Sequence, residues 1–129
     1  MIVVDASVLT DALTDDTARG AAATSALGED DEWAGPEHLV IEVAAAVRGR
    51  WLGRRISEDR ARAALDALGR SVIERLDTAV LLPRIWELRS LTTYDAAYVA
   101  AAEALDVALL TADDRLIGAP GRRCRVITP

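Results

Sequence analysis

The chain has 129 residues, 51% of them hydrophobic, with one cysteine, one histidine and a formal net charge of −6. That length suits one domain around one core, so a single domain over 1–129 is expected. The acidic balance argues against nucleic-acid binding through bulk positive charge, Cys124 alone excludes an internal disulfide or a cysteine zinc cluster, and no apolar run reaches bilayer length.

Ile2-Val3-Val4 is apolar on both faces and reads as a strand buried between two helical layers. It ends at Asp5, at the carboxyl end of the strand, where open α/β sheets place their ligands. Because this strand opens at residue 2, no secretory leader is expected ahead of it, and the cytoplasm is the expected location. A helix follows from Ser7 through Leu13. Asp15-Asp16-Thr17 offers a cap for a second helix through Leu27, and Gly28–Glu32 reads as a solvated acidic turn.

Trp33–Pro36 reads as a short strand running into a helix, with Pro36 in the first helical turn. That helix spans about 37–52, with Val40, Val43, Ala44 and Val47 as its buried stripe. Gly53-Arg54-Arg55-Ile56 breaks the pattern. Ser57 caps a helix through Leu68, with Ala61, Ala64, Leu65 and Leu68 inward. Val72–Leu76 is a short strand. The next helix holds Val80, Leu81, Ile85, Trp86 and Leu88, with Pro83 near its start, and the register of Trp86 with Leu82 and Ile85 makes it a core residue. Thr92-Thr93-Tyr94 opens a helix from Asp95 to Leu105. Val107–Thr111 is a second apolar strand, Asp113–Ile117 a helical turn, and Arg125–Ile127 a last strand. Strands alternating with helices at this spacing predict an α/β fold, a three-layer α/β/α sandwich with a central parallel sheet.

Charge is unevenly distributed. Met1–Ala45 holds ten acids and one base, Arg19; Ala46–Arg70 holds seven arginines and three acids; the chain has no lysine. A guanidinium fork suits phosphate and carboxylate equally. The basic stretch therefore leaves RNA and an acidic partner both open, with Arg48, Arg50, Arg54 and Arg55 as contacts or as a solvated face.

Most helix acids here have an arginine three or four residues away: Glu58 and Asp59 with Arg62, Asp66 with Arg62 and Arg70. Asp5, Glu42, Asp95 and Asp113 have none. Glu103 and Asp106 share that feature and are expected to face solvent. Asp5, Asp95 and Asp113 each stand where a helix begins, so capping competes with a metal role for each. If the two apolar strands are neighbours, Asp5 and Asp113 share one rim of the sheet. Two carboxylates about 5 Å apart repel by about 3 kcal/mol at an effective dielectric near 20, and four would not stay ionised without a cation. Oxygen ligands without Cys or His point to Mg²⁺ or Mn²⁺ rather than zinc.

Val4-Asp5-Ala6-Ser7-Val8-Leu9, Pro36 with Leu39 and Glu42, Leu91 through Tyr98 around Asp95, and Leu110-Thr111-Ala112-Asp113 with Leu116 together resemble the PIN-domain ribonucleases. The likeness covers the whole chain in order and is greatest to the VapC-type toxins of bacterial toxin–antitoxin pairs. It implies a parallel sheet between helices and an acidic quartet of Asp5, Glu42, Asp95 and Asp113, with Ser7 and Thr111 beside the metal. It also implies metal-dependent endoribonuclease activity, a cognate VapB-type antitoxin that blocks the groove, and a homodimer. Asp114 follows Asp113 directly, at a position that varies in the family, and is not counted among the site acids. Trp51 is the better interface anchor among the three tryptophans; Trp33 is another. The alternatives are a non-catalytic PIN-like module that binds RNA or a partner, and a DNA-directed nuclease with the same metal chemistry. A haloacid-dehalogenase-type phosphotransferase would need an aspartate where Ser7 stands.

Overall fold

The densest β-branched run becomes the centre of the sheet. In the computed structural model, which describes residues 1–129, β1 (Ile2–Val4) is buried at all three positions. It is followed by α1 (Ala6–Thr14), α2 (Ala18–Leu27), β2 (Trp33–Pro36), α3 (Leu39–Leu52), α4 (Glu58–Arg70) and β3 (Ile73–Leu76). A 3-10 turn over Thr78–Leu81 leads to α5 (Leu82–Glu87), α6 (Thr93–Leu105), β4 (Leu109–Leu110), α7 (Asp114–Ile117) and β5 (Val126–Ile127). No helix is long and apolar enough to cross a membrane.

The sheet runs in the order β3-β2-β1-β4-β5, with every neighbouring pair parallel. The chain steps outward from β1 through β2 to β3, then returns to the other side of β1 as β4. The strand order thus reverses between β1 and β4, and the crevice beyond the carboxyl ends of such a pair is where open parallel sheets bind ligands. Val4 lies opposite Leu110, and the Asp5 N–H donates to the Leu110 carbonyl at 2.9 Å. Asp5 and Thr111 therefore leave the sheet side by side.

Helices α1 to α4 pack against one another, while α5 packs on α6 and α6 on β1, β2 and β4. Residues 95–102 of α6 are all buried, because Ala96, Ala97, Ala100, Ala101 and Ala102 let the helix sit close to its neighbours on every side. Gly20 does the same for α2: a Cβ there would stand 1.7 Å from the Asp15 carbonyl oxygen, so only glycine lets α2 pack onto the end of α1.

Several expectations shift. Pro36 ends β2 instead of opening α3, which begins at Leu39. The buried stripe of α3 is Leu39, Val43 and Val47, with Val40 and Ala44 half-buried on its flanks. β4 is shorter than the apolar run that predicts it, and β3 starts one residue later than expected. Trp86 is 70% exposed rather than in the core. The buried face there is Leu81, Ile85 and Leu88, one residue out of register with Trp86, whose ring instead stacks under the Arg89 guanidinium at 5.3 Å. Glu103 does not face solvent. It accepts from Arg84 at 2.6 Å and from the Arg123 N–H at 2.7 Å, and these bonds hold its carboxyl below the ordinary glutamate range against the opposing effect of burial. Asp106 is exposed and closes α6 in the left-handed conformation, φ 54°. Asp59 makes no ion pair; Arg62 takes Glu58, and Arg70 takes Asp66.

Candidate active site

Asp5 stands between β1 and α1, 5% exposed. It occupies the cap position of α1 but makes no cap bond. Its Oδ2 instead accepts from the Ser7 hydroxyl at 2.5 Å and from the Thr111 hydroxyl at 2.8 Å. Both hydroxyls are fixed from behind: Ser7 Oγ accepts from the Ala112 N–H at 3.1 Å and Thr111 Oγ1 from the Asp113 N–H at 3.0 Å. Burial raises the Asp5 carboxyl above its ordinary range; the hydroxyl bonds oppose that shift without cancelling it.

Glu42 lies one turn into α3. Its Oε2 accepts from the buried Tyr98 hydroxyl at 2.7 Å, and the His38 Nε2 stands 3.6 Å away, beyond hydrogen-bond reach. His38 packs edge-on against Tyr94 and Tyr98, with ring centroids 5.3 Å apart in each pair. Burial, and secondarily the charges of Asp5 and Asp95, push the Glu42 carboxyl upward, with Tyr98 and His38 pulling the other way. Burial and the facing Glu42 raise the Tyr98 hydroxyl well above its usual range, so it stays a donor.

Asp95 is buried in the first turn of α6. Thr92, not Asp95, caps that helix, accepting from the Asp95 N–H at 3.1 Å. The Asp95 carboxyl is therefore free of capping, and its one cationic neighbour within 4 Å is Arg115, 3.8 Å from Oδ2. Asp113 does cap α7, accepting from the Arg115 N–H at 2.8 Å. The same carboxyl accepts from the Arg115 guanidinium at 2.6 Å, which holds it below the ordinary aspartate range. Helical neighbour spacing of three or four residues misses this arginine because the pair spans two positions at a helix start.

Asp5, Glu42, Asp95 and Asp113 line one groove of about 440 Å³ together with Ser7, Thr10 and Arg115. Four separate elements converge on it: the end of β1, α3, α6, and the loop after β4. The donors are all hard oxygens, which fits a hard divalent cation. The spacing is open: no three acids form a ready-made cation cage, and Arg115 is the cation that reaches Asp113 and Asp95. The upward shifts at Asp5 and Glu42 mark two carboxyls, buried or partly so, whose charge nothing nearby fully offsets. Asp114 opens α7, is exposed, and is not among the groove residues.

One acid on the groove escaped the sequence reading. Asp11 in α1 is 1% exposed and bonded by Arg19 at 2.5 Å and by Arg50, whose other nitrogen donates to Thr14 at 2.7 Å. Asp11 too lacks an arginine three or four residues away, so the same signal marks it. Of the four arginines singled out by charge, Arg50 and Arg55 line the groove and Arg48 and Arg54 do not.

The family model for the PIN domain matches residues 2–121. Ribonuclease VapC1 of Mycobacterium tuberculosis is 44% identical over 126 residues, covering 96% of this chain and 94% of that one. Among solved structures, VapC20 of M. tuberculosis, a sarcin–ricin-loop-cleaving toxin, superposes with a TM-score of 0.70 at 20% identity, covering 93% of this chain and 95% of its own. VapBC2 of Rickettsia felis, bound to a DNA fragment from its promoter, superposes at 0.67 and 16% identity over 100% of this chain and 99% of its own. With the fold, the crevice and a relative of this identity over nearly its full length in agreement, the chain belongs to the PIN-domain family and, within it, to the VapC ribonucleases.

Proposed function

We propose that the protein is the endoribonuclease toxin of a toxin–antitoxin pair and hydrolyses RNA phosphodiesters with Mg²⁺ or Mn²⁺ held by Asp5, Asp95, Asp113 and Glu42. The observation that carries this reading is the convergence of those four carboxylates, from four elements, on one groove at the switch point of the sheet. The names of the VapC relatives support ribonuclease chemistry.

Bound there, the ion supplies Lewis acidity, making the attacking water more acidic and offsetting charge on the phosphate. The chain supplies the geometry. Ser7 and Thr111 hold Asp5 in one orientation by donating to the same oxygen, leaving Oδ1 for a cation. Tyr98 fixes Glu42 through Oε2, so the second oxygen is left to orient the water. Arg115 pairs with Asp113 and Asp95 and would yield them to a divalent ion held there, which would leave its guanidinium for the substrate phosphate.

The partners in this reading are an RNA substrate, a VapB-type antitoxin and a second copy of the chain, in the cytoplasm. The solved VapBC2 complex of R. felis supports the antitoxin. Exposed Leu82 and Trp86, one turn apart on α5, and Trp51 and Leu65, which share a cleft between α3 and α4, give such interfaces apolar area. The test is cleavage of a labelled RNA panel with Mg²⁺, Mn²⁺ or EDTA, using wild type, Asp5→Ala and Asp113→Ala. Metal-dependent cleavage lost in both variants is expected; cleavage retained by both would remove the acids from the chemistry.

A further inference from the structure

The carboxylates occupy only one end of the groove. Beyond Glu42, α3 lines it with Ala46, Gly49 and Arg50, so eight residues carry the wall about 12 Å from Glu42 to Arg50. The two residues between are small, and a Cβ on Gly49 would meet nothing within 4 Å. A second cleft of about 630 Å³ shares Arg19, Arg50 and Arg55 with the groove and adds Arg60. Most charges in it are already engaged. Arg19 and Arg50 are held by Asp11, Arg60 by Asp16, and Asp15 accepts from Thr17.

Arg55 is the exception. It is exposed, lines both cavities, and takes part in no ion pair or side-chain hydrogen bond. The helix end is built to place it. Arg54 takes the left-handed conformation, φ 56°, at a position where glycine is usual. The Arg54 N–H closes on the Trp51 carbonyl and the Arg55 N–H on the Arg50 carbonyl, both at 2.9 Å. This turn reverses the chain at once, so Arg55 comes back beside Arg50.

We propose that the groove beyond the carboxylates binds the backbone phosphates next to the scissile one in a single RNA strand, with Arg55 as the contacting cation and Arg50 and Arg19 behind it. This rests on the ribonuclease reading. A strand laid along one groove needs a cation beyond the acids, and the wall runs from Glu42 on α3 to Arg50 and then to Arg55 just past the end of that helix, with Arg55 the member no carboxylate holds.

The test measures binding of a labelled single-stranded RNA by anisotropy on the Asp5→Asn background, over a series of salt concentrations, and steady-state cleavage on the active background. Arg55→Ala is expected to raise Kd and KM roughly five-fold with kcat within about two-fold. The slope of log affinity against log salt should become shallower by about 0.7, one phosphate on a single strand. Arg55→Glu should do more, and Arg70→Ala, whose guanidinium pairs with Asp66 on α4, should change neither. If wild type cleaves RNA while both Arg55 variants keep its affinity and salt slope, or if Arg70→Ala matches them, the track is overturned and the ribonuclease reading stands. A wild type that neither binds nor cleaves RNA in Mg²⁺ or Mn²⁺ takes both readings down. The Arg55 side chain makes no hydrogen bond or ion pair in the fold, so its removal should leave folding intact, which circular dichroism checks.

Discussion

Asp5 and Asp11 lie six residues apart, both nearly fully buried, and the molecule treats them oppositely. Two guanidiniums meet Asp11. Asp5 receives only hydroxyls, from Ser7 and Thr111. A buried carboxylate paired by arginine has its charge offset within the fold and serves as a tie, here joining α1 to α2 and α3. A buried carboxylate held by neutral donors keeps its charge unbalanced, and its raised pKa records the cost. The contrast separates an acid whose charge the fold offsets from one whose charge it leaves unbalanced, which burial alone does not.

The largest effect that tests the contrast is on chemistry. Asp5→Asn keeps an oxygen for the two hydroxyls but removes the charge, so cleavage should fall on the order of a thousand-fold, about 4 kcal/mol of barrier, with the fold intact by circular dichroism. Asp11→Ala should instead cost about 3 kcal/mol of stability in urea unfolding, because it strands Arg50, which is largely buried. If Asp11→Ala proved silent in stability, the structural assignment would be wrong.

A smaller effect concerns pH. Asp5 and Glu42 titrate above their ordinary range when folded, so the folded state holds their protons more tightly than the unfolded state. Their contribution to stability is complete below the ordinary carboxylate range and is lost as pH rises through the raised values, at about 1.4 kcal/mol for each tenfold difference in proton affinity between the folded and unfolded states. Asp113 has the opposite sign: its contribution is present above the ordinary range and lost as pH falls through its depressed value. Melting temperatures of metal-free wild type and Asp5→Asn between pH 4 and pH 8 (roughly the span across which perturbed carboxylates titrate) should diverge, with the variant losing less on the alkaline side.

The smallest effect is at Arg115. It is mostly exposed and pairs with Asp113 and Asp95, so in the proposed reading it would compete with a divalent ion for them. Arg115→Ala should tighten Mn²⁺ binding by calorimetry roughly three-fold, since an exposed ion pair is worth under about 1 kcal/mol. Weaker binding would mean that Arg115 helps to assemble the site rather than to guard it.

Periodicity and composition made the elements legible. The apolar strands at 2–4 and 107–111 announced the two central strands, and helical spacing announced Ala61, Ala64 and Leu68 as the face that α4 buries, while Leu65, expected inward with them, is 41% exposed on its flank. The isolation of Asp5, Glu42, Asp95 and Asp113 from arginines at helical spacing placed them among a few candidates before any fold was known, a set that also takes in Asp11, Glu103 and Asp106. What periodicity misjudged were faces decided by neighbours. Trp86 sits on a helix too short to bury two faces, and Glu103 finds Arg84 nineteen residues earlier in the chain.

Short-range spacing was enough to dictate the alternating strands and helices, the parallel sheet they imply, and which acids lack a local partner, because each of these depends on residues close together in the chain. Packing alone determined that Asp11 is neutralised and Asp5 is not, that Arg115 stands between Asp113 and Asp95, and that Arg55 rather than Arg48 faces the groove. Charge compensation depends on distances between side chains far apart along the chain, and those distances exist only once the helices have packed.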